Sequence, residues 1–384
     1  MHGTKQSGAC GEEVVVMRCL LKNATIINSN GENETVHILT EDRKIKKISR
    51  EMIDIPAMEY DMTGYMVMPG FINTHVHLMD CFDGFNNEKL KKWLMSGITC
   101  LRDQGILSRN NAADAVRWKE EIGKSSMYPS IAVCGKFIAA VNGYGGVDPI
   151  GVSDEKEARD AVDMQVDAGV DHIKVSLDEG YDAYTQSLAL LPFNVLTSIC
   201  DQAHKRGVKV SAHVNRSENL EVLLKAGIDE AAHACYDSIP NSTLEYMVKN
   251  NVYMTPTLSV YGEITTNWGA PFLYSAMDNI KRFVDMGGII GLGNDYIEEK
   301  AIWSPVGMPM MEIELLLKAG LTMNQVISAA TLGGAKILGR EDYGKIEENC
   351  IADLIAVRGN PYELPYLLSN VNFVMKDGIV VKQE

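Results

Sequence analysis

The sequence predicts an α/β protein: a (β/α)8 TIM barrel with a small β-sandwich domain built from both chain ends. Three observations carry this. From Val67 onward, apolar runs of five to eight residues alternate with amphipathic segments of ten or more. Several of those segments stop at Gly, as helices do. The two ends of the chain read instead as short strands and turns, and they can pair into one sheet beside the barrel.

In chain order, residues 1–16 are out of register with the strand-rich stretch after them and are read as a leader, a tag or a disordered stretch. Residues 17–65 open the sheet domain with "LLKNATIIN", the polar turn "NSNGENE" and "TVHILTEDRKIKKISR". The barrel takes 66–339. Its strands are expected at "FINTHVH", "ITCLRD", "SIAVCG", "HIKVSL", "VKVSAHV", "DEAAHAC", "VYMTPTLS" and "GIIGLGND". Helical periodicity falls between them, in "NEKLKKWLMSG", "DEKEARDAVDMQVDAG", "NVLTSICDQAHKRG" and "ENLEVLLKAG". Residues 340–384 return to strands with "ADLIAVRG" and "VNFVMKDGIVV" and close the sheet domain.

Composition bounds the function. The 384 residues are 46% hydrophobic and 23% charged, ordinary for a folded chain. A formal net charge of −15 argues against nucleic acid and anionic membranes as partners. No run of 18 apolar residues is present and no secretory pattern opens the chain, so a cytoplasmic location is expected. The 8 cysteines are scattered without a C-x-x-C pair and read as buried, reduced thiols. A small-molecule substrate and a homo-oligomer are expected.

Chemistry-bearing side chains gather at strand ends. His75 and His77 lie two apart in an apolar strand and therefore on one side of it, a spacing that can chelate a metal. His213, His233 and Asp295 each stand near the carboxyl end of an expected strand, the barrel face where active sites sit. Lys174 lies in "HIKVSL", on the face that should point into the barrel. A lysine there needs compensation. It either pairs with a carboxylate or, deprotonated, adds carbon dioxide to give a carbamate able to bridge two cations. His172 should sit deeper in the core, His204 on an exposed helix, and His2 and His37 outside the barrel. Arg102 and Asp103 read as a structural pair supporting the mouth. Candidates for substrate contact are Asn142, Tyr144, Asp178, Glu179, Tyr236 and Tyr296.

These segments resemble a known family. "VMPGFINTHVHL" is similar to the first-strand signature of the amidohydrolase superfamily, and "GITCLRDQG" to the second-strand segment of its imidazolonepropionase-like branch. "AGVDHIKVS" resembles the lysine-bearing fourth strand of binuclear members such as Xaa-Pro dipeptidases and arginine carboxypeptidases. "AHKRGVKVSAHV", "AGIDEAAHA", "GLGND", "AATLGGAKILG" and "GKIEENCIADLIAV" resemble the later segments, so the likeness runs from Met17 to the C-terminus. The resemblance implies two divalent metals, zinc before manganese, iron or cobalt. His75, His77 and Asp295 would bind one and His213 and His233 the other, with carbamylated Lys174 as the bridge. It implies hydrolysis of an amide C–N bond in a dipeptide or N-acyl amino acid by metal-activated hydroxide, with Asp295 moving the proton. A cyclic-amide or lactone hydrolase and a deaminase are the alternatives on the same barrel. A metal-free scaffold relative would lack ligands that are all present here. Related peptidases carry a histidine after the third strand, where this chain has "AAVNGYGGVDP". "SLDEG" also follows Lys174 in place of a small, Gly-rich turn.

Overall fold

The computed structural model describes residues 17–27, 31–79, 86–145, 148–180, 188–268, 271–297 and 305–384. The expected leader at 1–16, with His2 and Cys10, lies outside these residues, as do Cys81 and part of the "NSNGENE" turn.

The chain opens with β1 (Arg18–Ile27), β2 (Asn33–Glu41), β3 (Lys44–Ser49), β4 (Met58–Asp61) and β5 (Tyr65–Pro69). These pair with three strands from the far end of the chain, β15 (Leu354–Arg358), β16 (Phe373–Lys376) and β17 (Ile379–Gln383), in one eight-stranded sheet of order β17-β16-β15-β5-β1-β2-β3, with β4 beside β1. A register break between Leu21 and Ala24 lets one half of β1 meet β4 and the other meet β5. Alternate residues of these strands, among them Leu21, Ile38, Val67, Leu354 and Phe373, share one apolar core. The two chain ends thus meet in a single sheet domain. It includes Tyr65–Pro69, which pairs with β15.

The central region alternates strand and helix. Its strands are β6 (Phe71–Val76), β7 (Ile98–Asp103), β8 (Ser130–Ala132), β9 (Ile138–Ala140), β10 (Ile150–Val152), β11 (His172–Ser176), β12 (Lys209–His213), β13 (Glu230–Ala231) and β14 (Tyr253–Met254). The helices are α1 (Asn87–Met95), α2 (Ala112–Ile122), α3 (Glu155–Ala168), α4 (Phe193–Lys205), α5 (Ser217–Ala226), α6 (Asn241–Lys249), α7 (Leu258–Trp268), α8 (Phe272–Asp285), α9 (Met310–Lys318), α10 (Met323–Ser328) and α11 (Gly334–Leu338). Then come β15 (Leu354–Arg358), β16 (Phe373–Lys376) and β17 (Ile379–Gln383).

All central ladders are parallel. One arc runs β6-β7-β8 and the other β10-β9-β11-β12-β13-β14. Every residue of β6, β7 and β11 is buried, as expected of parallel strands covered on both faces. The parallel bridges Met254↔Ile290 and Val76↔Tyr296 carry the second arc back to β6. On the other side, the Asp171 N–H donates to the Val133 carbonyl at 2.8 Å, which ties the end of β8 to the start of β11.

Four expected strands and four expected helices fall where the sequence places them, within a few residues. The differences have local causes. "GIIGLGND" is extended but contributes single bridges and no ladder. β9 and β10 arise where no strand is expected, because three-residue strands are too short to show alternation. "VYMTPTLS" should run as strand to Ser259, yet α7 begins at Leu258. The Glu312 carboxylate accepts the N–H groups of Leu258 and Ser259 at 2.9 and 2.7 Å and thereby caps α7 from 53 residues or more away. No local signal marks such a start. The six described cysteines are buried and unpaired. Among the described residues, no helix is long and apolar enough to cross a membrane.

Burial pushes the Glu312 carboxyl up to about 7, against the bonds it accepts from α7. A raised carboxyl favours the protonated folded state, so its contribution is lost as pH rises from the unfolded value toward 7. Glu312→Gln lacks this titration. Measured by denaturant unfolding, the stability of E312Q relative to wild type should rise by about 3 kcal/mol between pH 4.5 and 7 and then level off. A difference that stays flat with pH would contradict this.

Candidate metal centre

Burial of the parallel strands leaves their carboxyl ends as the place where polar side chains can converge. β6 delivers His75 and, one residue beyond the strand, His77. The Nε2 atoms of both lie 3.2 Å from Asp295 Oδ1. Gly293 permits this approach: a Cβ there would stand 2.5 Å from the Thr255 side chain and 2.7 Å from that of His75. Asp295 itself sits at φ 51°, an uncommon region for a residue other than Gly. Its N–H donates to the His75 carbonyl at 3.0 Å, which pins the turn.

The donor set fits a divalent cation. The ligand atoms of His75, His77 and Asp295 lie within 4.8 Å of one another. His77 Nδ1 lies 2.7 Å from the Gly105 carbonyl, which can only accept, so Nδ1 carries a proton and, in the neutral ring, the Nε2 lone pair faces the carboxylate. Lone pair and anion repel unless a cation lies between them. Burial pushes His75 down to about 4. At His77 the same burial is outweighed by Asp295, which raises that ring. Burial also works against the Asp295 carboxylate, but the charge and hydrogen bonds of His75 and His77 hold it well below the usual range.

A second imidazole pair stands beside the first. His233 Nε2 and His213 Nδ1 are 2.8 Å apart, and the His75 and His233 ring centres 5.0 Å. Their outward nitrogens are held by residues that sequence reading passed over. Thr257 Oγ1 lies 2.7 Å from His233 Nδ1, and Thr257 is strained at φ 51°. Asn215 Nδ2 lies 3.0 Å from His213 Nε2 and 2.7 Å from Asp178 Oδ2. The Tyr261 hydroxyl donates to Asn215 Oδ1 at 2.7 Å. "HVN" carried a faint signal, since a polar residue two after a strand-end histidine shares its side. Thr257 and Tyr261 carried none.

Lys174 is fully buried and faces the same interior. Its Nζ donates to Gln104 Oε1 at 3.0 Å and stands 5.6 Å from the Phe137 ring centre. Burial pulls its pKa down to about 8, with Glu230 and Asp295 opposing. Beneath it, Arg102 and Glu230 pair at 2.5 Å, and Glu230 also accepts from Thr255 at 2.6 Å. The expected Arg102–Asp103 pair is therefore corrected. Neighbours along a strand point to opposite sides, and Asp103 instead accepts the N–H groups of Leu78 and Gly105 at 2.7 and 3.0 Å.

The substrate candidates scatter more. Tyr144 stacks on His213 with ring centres 4.4 Å apart, and burial raises its hydroxyl. Asn142 is exposed at φ 61°. Asp178 turns inward, with Oδ2 3.3 Å from His213 Nε2 and Oδ1 accepting the Gly180 N–H. Glu179 pairs with Arg216 at 3.3 Å, and Tyr236 stacks on Phe272. Tyr296 packs into the core against Trp93 of α1. His172 is buried, and His204 is half-exposed beside Asp229.

This architecture and site define a class. The profile of the Amidohydrolase family matches residues 66–382, and the chain belongs to that family. Its relatives include hydrolytic enzymes. It is 24% identical to the ochratoxinase of Aspergillus niger over 311 residues, 74% of this chain and 62% of that protein, so it spans about three fifths of that relative. It is 22% identical to a 5-methylthioadenosine/S-adenosylhomocysteine deaminase of Bacillus cereus, covering 91% of this chain and 87% of that one. Among solved structures, a Xaa-Pro dipeptidase with methionine in its active site aligns with a TM-score of 0.82 at 22% identity, over 95% of this chain and 100% of that one. The A. niger ochratoxinase structure aligns at 0.81 and 20%, over 96% of each. The fold is thereby shared with these proteins.

The Tyr261–Asn215–His213 chain makes a test of the second pair. Tyr261→Phe should weaken metal binding, read by competition with a chelator, by about tenfold, as loss of such supporting bonds does. Unchanged affinity would show that Asn215 needs no support from α7.

Proposed function

We propose that the chain is a binuclear metal-dependent amidohydrolase that cleaves the amide C–N bond of a small substrate such as a dipeptide or N-acyl amino acid. The two parallel arcs form one (β/α)8 barrel in this reading, joined through the Ile290–Tyr296 segment and the Asp171–Val133 contact. The observation that carries the proposal is the convergence of four imidazoles, Asp295 and a buried lysine at one end of the strands. His75, His77 and Asp295 would hold one cation and His213 and His233 the other. Zinc suits imidazole and carboxylate donors.

Bound cations would supply a water acidic enough to attack near neutral pH and a polarised substrate carbonyl. The chain's own residues do the rest. Asp295, kept anionic between two imidazoles, takes a proton from the attacking water and passes it to the leaving nitrogen. Thr257, Gly105 and Asn215 fix the ring orientations. Tyr144, stacked on His213, and Asn142 lie on the loop that would meet the substrate. Lys174, whose pKa burial lowers to about 8, would react in its neutral form with carbon dioxide and bridge the two cations as a carbamate.

The names of similar structures, Xaa-Pro dipeptidase and prolidase, favour a peptide-type amide. The deaminase relative, which covers more of the chain than the ochratoxinase does, favours the second reading. A panel of dipeptides, N-acyl amino acids, lactams, lactones and aminated heterocycles separates them. Amide turnover is expected. Turnover confined to lactones or aminated heterocycles would overturn the amide assignment. Chelation should abolish activity, and zinc or manganese should restore it; full activity in verified metal-free protein would contradict the reading. Lys174→Ala should keep the fold, lose at least about a hundredfold in rate and recover part of it with added short carboxylates, as removal of a charged ligand predicts. A K174A protein as active as wild type would remove the bridge from the account.

A further inference from the structure

At the amino ends of the same strands, opposite the metal centre, lies a cavity of about 370 Å³. His172 and Lys209 begin β11 and β12, whose far ends carry Ser176 and His213. Both residues line the cavity, with Arg102, Lys119, Arg340 and Asp171. Its walls therefore carry four full cations and one carboxylate.

The partners of these groups show an imbalance. Arg102 is paired with Glu230, Lys119 with Asp171 at 2.6 Å and Arg340 with Asp342 at 2.9 Å. Lys209 has no carboxylate within ion-pair distance among the described residues. Its Nζ donates to the carbonyls of Lys336 and Ile337 at 2.8 and 3.2 Å and lies 4.9 Å from the Tyr253 ring centre. His172 is 3% exposed, and neither of its ring nitrogens has a protein hydrogen-bond partner. A buried polar side chain without a partner is uncommon and calls for an explanation. Here it lines a cavity whose charge is positive.

The geometry points to a binding site for a phosphate group in this cavity, held by Lys209, Arg340 and the Arg102 guanidinium, with the His172 ring in its wall. Phosphate suits it better than a bare halide. Guanidinium groups meet a tetrahedral oxyanion through paired N–H donors. The volume also leaves room for a small organic group, so a phosphate monoester and the free ion share the chemistry. Nothing in the proposed hydrolysis uses this site. The Arg102–Glu230 pair crosses the interior between the cavity and Lys174.

The test is calorimetric titration of the metal-loaded full chain with inorganic phosphate and, separately, glycerol phosphate, at matched ionic strength in chloride. Saturable binding is expected, with tighter binding of the ester if the cavity takes the organic group and of the ion if it does not. The double variant Lys209→Met, Arg340→Gln should weaken it at least about tenfold, as loss of charge-assisted bonds predicts. His75→Asn, at the metal centre, should bind phosphate as wild type does. Melting curves check that each variant is folded. If the double variant is not, Ala132→Leu, which fills the cavity from β8, replaces it with the same expected loss. No saturable binding of either compound overturns the site. So does binding that survives the cavity variants or disappears with His75→Asn, since phosphate would then be held at the metal centre.

Discussion

Charge inside the barrel is what the remaining structure has to satisfy. Lys174, Arg102, Glu230 and Asp295 are buried together with four imidazoles, in surroundings where an uncompensated charge would cost several kcal/mol. The solution is layered. Arg102 and Glu230 neutralise each other across the interior, and Thr255 takes the remaining carboxylate oxygen. Gln104 stands above them and accepts from both Lys174 and Ser211. At the mouth, Asp295 faces the His75 and His77 imidazoles, and imidazole compensates a carboxylate fully only when protonated or bound to a cation. The polar layers thus leave one end of the barrel in need of positive charge, and that end carries the metal-type donors.

Much of this was legible. The shared side of His75 and His77 follows from strand alternation, and His213 does end a strand, while His233 lies two residues past β13 and Asp295 follows an extended segment that makes only single bridges. The structure brings all five side chains to one region. Lys174 could be placed inside by the same alternation. Long-range partners could not be read. Glu312 caps α7 across more than fifty residues, and Arg102 reaches Glu230 across 128, so neither has a local sequence signature. The two short strands after β8 were hidden for a different reason, being too brief for any period to register.

The positions that hold the site are also those where the backbone departs from ordinary geometry. Thr257 at φ 51° and Asp295 at φ 51° occupy a region that disfavours side chains, β-branched ones most of all. Each makes a contact that an extended backbone would not give: Thr257 to the His233 ring, Asp295 to both His75 and His77. Such strain persists where packing overdetermines it, and here it secures the orientation of donor atoms. The same packing explains Gly293, whose missing side chain lets the Asp295 segment lie flat against His75.

The central claim is that these donors hold two cations joined through Lys174. Anomalous diffraction from crystals of the zinc-loaded chain, recorded on both sides of the zinc edge, addresses it directly. The account predicts two peaks, one about 2.0–2.2 Å from His75, His77 and Asp295 and one at the same distance from His213 and His233. Between them, density should extend from Lys174 Nζ by one carboxyl group. A single peak, or an unextended Lys174 still bonded to Gln104 beside a filled site, would contradict it.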